Sequence, residues 1–79
     1  MEEKILEILA DVCEDDDVKE DLSLDLFGEG LLDSLGVAQL LMELEDELGV
    51  VIALTEIEKT DIETPRKIID LVIQRANEV

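Results

Sequence analysis

The residue best suited to chemistry in this sequence is Ser34, within residues 31–36, Leu-Leu-Asp-Ser-Leu-Gly. The sequence has no histidine, so a serine or cysteine activated by histidine is excluded. Leu32 also occupies the first glycine position of the G-x-S-x-G nucleophile elbow. A serine at a helix start can accommodate a phosphate, because free N–H groups and the helix dipole favour anions there. On spacing alone, however, the simpler interpretation is that Ser34 only caps a helix.

The acidic run of residues 14–17 is the other cluster that could bind a ligand. With Asp15 as the first ligand of a calcium loop, Lys19 occupies the fifth position and Glu20 replaces the required glycine. We therefore predict no metal site. Phosphate loops of the G-x-x-x-x-G-K type are absent from the sequence. General acid–base catalysis needs a cleft that so small a core is not expected to enclose, so we predict no catalytic residue.

Charge narrows the classes of partner. The formal net charge is −17, from 6 basic and 23 acidic residues, and Trp and Tyr are absent. Such a chain repels phosphate backbones and lacks most base-stacking platforms, so we exclude nucleic acid as a partner. Anionic membranes also repel it, and no apolar run approaches the ~20 residues that span a bilayer, so we predict no membrane insertion. The expected partners are proteins with basic docking faces.

Length and composition predict one small domain over residues 1–79, with a thin core. A chain of 79 residues should expose roughly 4,800 Å² when folded. Cys13 is the single cysteine, which permits no internal disulfide, and its position on an apolar stripe favours a core residue over a nucleophile. The sequence shows no signal-peptide pattern at its start, which predicts a cytoplasmic protein. Nothing indicates a stable oligomer, so we expect a monomer.

The elements that must position Ser34 are predicted to be helices. Apolar residues at helical spacing predict a first helix over about residues 2–15 and a second over about 34–48. Either Asp33 or Ser34 can cap the second helix, and Gly49 is predicted to end it.

A long connection, residues 16–33, joins these two helices. Its leucines alternate with polar residues as in a strand, but no second strand of comparable quality could pair with it. We predict an ordered loop that packs Leu24, Leu26 and Phe27 onto the core. A loop of this length in so small a domain tends to be functional.

Two further helices are predicted in the last third of the chain. Residues 55–58, Thr-Glu-Ile-Glu, fit a capping box and predict a short third helix. Thr64 and Pro65 predict the cap and first position of a last helix that ends near Asn77. Residues 50–52 are assigned to a packed loop. The predicted fold class is all-α, with three principal helices and one short helix.

The second helix carries two apolar stripes. The core stripe consists of Val37, Leu40, Leu41, Leu44 and Leu48. Leu35, Ala38 and Met42 form a second stripe about 140° away, called here the apolar face. Spacing alone leaves open whether the third helix or the long loop covers the apolar face. Its place directly after Ser34 favours a docking surface for a partner.

Residues 30–35, Gly-Leu-Leu-Asp-Ser-Leu, resemble the phosphopantetheine attachment motif of acyl and peptidyl carrier proteins. Asp-Ser-Leu alone is common by chance, but the similarity extends over chain length, acidity, helix order, the long first loop and the Thr-Pro helix start. The resemblance implies an acyl-carrier-like four-helix bundle. It also implies that Ser34 bears 4′-phosphopantetheine, which a phosphopantetheinyl transferase takes from coenzyme A.

Within that family, the sequence is most similar to the D-alanyl carrier group. The matching stretches are residues 30–34 together with Gly36, residues 54–57 and residues 64–68. The sequence departs from the residues usual in that group at Leu35, Ala53, Ile57 and Ile62.

This second resemblance implies a partner for each step. An adenylating ligase activates D-alanine with ATP and loads it onto the thiol of the arm, and a membrane acyltransferase system receives it for esterification of teichoic acids. The chain itself would catalyse nothing. Asp33 would help to orient the serine or a metal of the transferase. The apolar face would contact partners, and the candidate acidic contacts are Glu43, Asp46 and Glu47.

Two other classes of function stay open. A generic acyl carrier for fatty-acid, polyketide or peptide synthesis would hold its acyl chain in a cleft between helices and accept it from an acyl-transferring synthase. An acidic adaptor would bind a basic helix through the apolar face, and its Ser34 would never accept the arm.

Overall fold

The computed structural model describes residues 1–78 and shows a helical bundle, with no strand among those residues. Its α-helices are α1 (Glu2–Cys13), α2 (Asp17–Glu20), α3 (Ser34–Leu48) and α4 (Pro65–Asn77), and its 3₁₀ turns are Leu54–Glu56 and Lys59–Asp61. Helix α1 is central, because it packs against each of the other three helices. The predicted all-α class and its three principal helices are confirmed, and the short helix lies at Asp17–Glu20 instead of at the predicted residues 55–58.

The core is built from apolar residues of every helix and of the connecting segments. The fully buried side chains include Ile5, Leu9, Val18, Leu26, Leu40, Leu44, Ile68, Ile69 and Val72. No polar or charged residue among residues 1–78 is buried. The accessible surface is 4818 Å², in agreement with the area expected from chain length. Polar chemistry is therefore confined to the surface.

The boundaries of α3 and α4 agree with the sequence prediction. Gly49 ends α3 in the left-handed conformation, with φ of 69°, and its N–H donates to the carbonyl of Glu45. Thr64 caps α4, since its Oγ1 accepts a hydrogen bond from the Lys67 N–H at 3.2 Å. Pro65 occupies the first helical position, as predicted.

Helix α1 ends at Cys13, two residues before the predicted end near Asp15. Glu14 adopts the left-handed conformation, with φ of 56°, and its N–H donates to the carbonyl of Ala10. Glycine is the usual residue at this position, so Glu14 does not signal the end of a helix.

The prediction of a continuous loop over residues 16–33 is wrong in one respect, because residues 17–20 form the single turn α2. The Asp17 N–H donates to Oδ1 of Asp15 at 2.9 Å, and Val18 is completely buried. One turn with one buried residue is too short to produce a helical period. The rest of the loop agrees with the prediction, since Leu26 is fully buried and Leu24 and Phe27 pack against the core.

The predicted helix at Thr55 is also wrong, because two 3₁₀ turns stand in its place. The Glu56 carboxylate accepts from the Ala53 N–H at 2.9 Å, so the first turn starts before Thr55 and ends at Glu56. The Asp61 carboxylate accepts from the Glu58 N–H at 2.8 Å and fixes the second turn in the same way. Each carboxylate closes one short turn, and the chain is extended between them.

Candidate functional site

Ser34 is the first residue of α3, and its side chain is exposed. Oδ1 of Asp33 accepts a hydrogen bond from the Gly36 N–H at 2.7 Å, which makes Asp33 the cap of the helix. The sequence allowed either residue to be the cap. Because Asp33 has that role, the Ser34 hydroxyl can be modified without loss of the cap.

The loop before Ser34 is tied to the start of α4 by backbone hydrogen bonds. The Leu26 N–H donates to the Glu63 carbonyl at 2.8 Å, and the Arg66 N–H donates to the Leu22 carbonyl at 3.0 Å. The Leu26 carbonyl in turn accepts from the N–H of Leu32 at 3.1 Å, and the Leu32 side chain is buried. These bonds hold the approach to Ser34 against the core.

A pocket of about 230 Å³ opens beside Ser34. Its lining residues are Phe27, Ser34, Val37, Leu54, Ile57, Glu58, Lys59 and Ile62. The lining is mostly apolar, with a hydroxyl, a carboxylate and an ammonium group at the wall. The pocket therefore joins the loop, the N-terminus of α3 and the segment of 3₁₀ turns in one site.

Lys59 is a residue of this site that sequence analysis missed. Its ammonium lies over the ring of Phe27, 4.8 Å from the ring centroid, in a cation–π contact. The two residues are far apart in the sequence, and neither belongs to a periodic pattern. Packing on the common core and the hydrogen bond from Leu26 to Glu63 hold their two segments side by side.

The apolar face defined by Leu35, Ala38 and Met42 is open to solvent. Leu35 is 78% exposed and Met42 is 67% exposed, while Ala38 is partly buried. Neither the long loop nor the 3₁₀ segment covers the face, which answers the question that spacing left open. Leu54, 57% exposed, lies beside Met42 and enlarges the apolar surface.

The three acidic residues predicted as partner contacts are not equivalent in the structure. Asp46 lies beside Met42 in a shallow depression, together with Glu45, which sequence analysis did not select. Glu47 forms an ion pair with Lys4 of α1 at 3.5 Å. Glu43 is partly buried, and its Oε2 has no hydrogen-bond partner among the described residues. Asp46 is therefore placed next to the apolar face, whereas Glu47 is paired with α1.

The surface outside this site offers little nucleophilic or metal chemistry. Burial, reinforced by the charge of Asp15, raises the pKa of the Cys13 thiol to about 11, so the unreactive thiol form dominates at neutral pH. Within residues 1–78, no group of three His, Cys, Asp or Glu side chains is arranged to hold a metal ion. Among the described helices, none has the length and apolarity that crossing a membrane requires.

A family model described as a phosphopantetheine attachment site matches residues 3–72. The chain therefore belongs to this family of carrier proteins, whose covalent cofactor is 4′-phosphopantetheine. Such carriers are substrates of a phosphopantetheinyl transferase and of acyl-loading enzymes, and they are not themselves catalysts.

Curated relatives indicate a particular branch of the family, the D-alanyl carrier proteins. The chain is 44% identical over 75 residues to that of Abiotrophia defectiva, with 95% of each chain covered. It is 49% identical over 70 residues to that of Lacticaseibacillus rhamnosus, covering 89% of this chain and 86% of the relative. It is 38% identical over 68 residues to that of Bacillus subtilis strain 168, covering 86% of this chain and 87% of the relative.

The surroundings of Ser34 fit a phosphopantetheine group. The hydroxyl is exposed and free of the capping role. The adjoining pocket offers an apolar wall for an extended arm, and Lys59 lines the same pocket as Ser34. These are properties of side chains that the sequence motif alone does not contain.

Proposed function

We propose that the chain is a carrier in which Ser34 bears 4′-phosphopantetheine and presents a D-alanyl group for esterification of teichoic acids. The supporting observation is the exposed Ser34 hydroxyl, which lies between a pocket and the apolar face. This hydroxyl does not cap the helix, because Asp33 does so. The arm would supply a terminal thiol, on which an activated acyl group can be held as a thioester. The D-alanyl cargo is inferred from the names of the relatives.

The partners follow from this role. A phosphopantetheinyl transferase would use coenzyme A to modify Ser34, with Asp33 orienting the hydroxyl or a metal of that enzyme. A D-alanine-activating ligase would load the arm in the cytoplasm, and a membrane acyltransferase system would receive the cargo. The chain would act as a monomeric single domain over residues 1–79.

The apolar face is proposed to contact these enzymes. Leu35 and Met42 are large and exposed, and a flexible methionine adapts to different partners. Asp46 and Glu45 would form an acidic border that meets basic residues of the partner. Glu43 and Glu47 would contribute less direct contact, because one is partly buried and the other is paired with α1.

A generic acyl carrier is the second candidate, since apolar side chains line the pocket beside Ser34. The pocket measures about 230 Å³, below the roughly 300–1,000 Å³ of sites that enclose drug-sized ligands. A pocket of this size would not enclose a long acyl chain, and the names of the relatives favour D-alanine.

Attachment is tested by incubating the protein with coenzyme A and a broad-specificity phosphopantetheinyl transferase, followed by intact mass measurement. The sequence offers a matched control, because its only other serine is Ser23, which is also exposed. The parent and Ser23→Ala should each gain one phosphopantetheine, and Ser34→Ala should gain none. A gain on Ser34→Ala, or no gain on folded parent protein, would contradict the proposed site.

Cargo and docking are tested on the carrier that already bears phosphopantetheine. D-alanine ligase should charge it with D-alanine, and fatty acyl synthases should not. Leu35→Ala and Met42→Ala should each lower kcat/KM of the ligase by about tenfold, the loss expected for truncation of a central interface residue. Val51→Ala is the matched control, because Val51 is 61% exposed but lies outside the apolar face. Equal effects of all three variants would argue against docking through the apolar face.

A further inference from the structure

Basic side chains are scarce in this protein, and nearly all of them are used in ion pairs. The paired basic residues are Lys4, Lys19, Arg66, Lys67 and Arg75. Among residues 1–78, Lys59 is the one basic residue with no carboxylate partner, although the chain contains 23 acidic residues. Its lack of a partner therefore needs an explanation.

Lys59 is held in place by an aromatic ring instead of by a carboxylate. Its ammonium is 4.8 Å from the centroid of Phe27, and both residues line the pocket that Ser34 also lines. A cation–π contact restrains the ammonium but leaves its N–H donors available for an anion. Lys59 thus places an available positive charge in the wall of the pocket beside the candidate attachment site.

A phosphodiester on Ser34 would have few other groups to neutralise it. The N-terminus of α3 is a weakened anion site, because the Gly36 N–H already donates to Asp33 and the Asp33 carboxylate offsets the helix dipole. Glu58 adds a further carboxylate to the pocket wall. With a net charge of −17, the rest of the surface is also repulsive to a phosphate.

We propose that Lys59 is the counter-ion of the arm's phosphodiester and directs the start of the arm along the Phe27 side of the pocket. This inference rests on the proposed attachment at Ser34. Lys59 would be a positioning residue, with no part in any bond that forms or breaks. A hydrogen bond between an ammonium and a phosphate is charge-assisted and stronger than a neutral one, so it would favour this direction for a flexible group.

The test compares the apo form of each variant with its phosphopantetheinylated form, called loaded here, by ¹H–¹⁵N correlation spectra. Intact mass first confirms that the phosphopantetheine is attached. In the parent, loading should shift amides near Ser34 and also those of residues 58–60. In Lys59→Met, which keeps the length and apolar contact of the side chain, only the shifts near Ser34 should remain. Lys59→Arg should restore the shifts at residues 58–60. Lys67→Met, which removes a lysine outside the pocket, should behave like the parent.

Two further measurements separate this ion pair from a general effect on the loop. Raising the salt concentration to ~1 M, where the Debye length is about 3 Å, should reduce the parent's shifts at residues 58–60. Phe27→Leu should reduce them as well, because the ammonium loses its restraint. Loaded Lys59→Met with the same shifts at 58–60 as the parent would overturn this inference alone. A parent that gains no phosphopantetheine would overturn the proposed attachment at Ser34, and this inference with it.

Discussion

Helices α3 and α4 bury comparable stripes, but their solvent faces differ. On α4 the exposed residues are polar, and several join ion pairs, including Lys67 with Glu63 at 2.6 Å and Arg66 with Asp70 at 3.9 Å. On α3 the exposed residues include the large apolar side chains Leu35 and Met42. A face of that kind contributes nothing to the stability of the isolated protein.

The last turns of the two helices differ in the same sense. The last turn of α4 contains Arg75, whose positive charge suits the negative end of the helix dipole. The last turn of α3 contains Glu45, Asp46 and Glu47 and no basic residue, an arrangement that the dipole disfavours. The comparison shows that the exposed face and the last turn of α4 follow the rules of helix stability, whereas those of α3 depart from them. Such departures are expected where a surface serves a partner.

The largest expected change in unfolding free energy comes from substitutions on the buried sides of the two helices, which should contribute equally. Leu40 of α3 and Ile69 of α4 are both 0% exposed. Leu40→Ala and Ile69→Ala should each lower the free energy of unfolding by about 2–5 kcal/mol, measured by urea denaturation and circular dichroism. Leu35→Ala should change it by no more than about 0.5 kcal/mol, because that side chain is exposed. A large loss for Leu35→Ala would mean that the apolar face is structural.

The two helix caps provide the next largest effect. Asp33→Ala and Thr64→Ala should each cost about 1 kcal/mol of unfolding free energy, since each removes the acceptor of one N–H group. Asp33→Asn keeps a capping oxygen and should retain most of the stability. If Asp33 also orients Ser34 or a metal of the transferase, Asp33→Asn should slow phosphopantetheine transfer, whereas Thr64→Ala should not. Equal rates of phosphopantetheine transfer to both variants would mean that Asp33 acts only as the helix cap.

A smaller change in unfolding free energy, this time a gain, is expected from a substitution in the last turn of α3. Glu45→Gln should raise the unfolding free energy by about 0.3–1 kcal/mol at low salt, because it removes a negative charge from the negative helix end. Glu3→Gln is the matched control, since Glu3 lies in the first turn of α1, where a negative charge is favourable. A gain in both variants would attribute the effect to the overall negative charge. The difference between them should shrink in ~1 M salt.

The smallest effect concerns the titration of Glu56. The hydrogen bond from the Ala53 N–H, aided by Arg75, holds the pKa of the Glu56 carboxyl below its ordinary value of 4.5. A pKa that is lower in the folded state stabilises the protein at pH values above the pKa of the unfolded state. This contribution is lost as the pH falls through the pKa of the folded state. Arg75→Gln should raise the pKa only partly, because the Ala53 hydrogen bond remains. An NMR titration of the Glu56 carboxyl would show a full return if Arg75 were the main cause.

Local signals in the sequence predicted most of the framework around Ser34. The start of α3, its stop at Gly49 and the Thr64-Pro65 start of α4 each depend on neighbouring residues, which the sequence displays directly. The apolar face was predicted for the same reason, since it depends only on helical geometry.

What the sequence could not reveal depends on contacts between distant segments or on very short turns. Helix α2 has a single buried residue, Val18, so no period exists to detect. The Thr55 capping box competed with a turn that starts at Ala53, stabilised by Glu56, which also pairs with Arg75 far along the chain. The place of Lys59 beside Ser34 depends on a ring contributed by the long loop. Neighbouring residues in the sequence mark the candidate attachment serine, whereas its pocket depends on contacts between distant segments.

The backbone hydrogen bonds that join Leu26 to Glu63 and Leu22 to Arg66 have a consequence for the timing of the protein's synthesis. These bonds close large loops, so they can form only after most of the chain has left the ribosome. Until Arg66 emerges, a nascent chain could form α3 with Ser34 at its start but could not fix the loop beside it. The candidate attachment site is therefore ordered only once Arg66 has emerged, and a product truncated before that residue would present the serine without an ordered pocket.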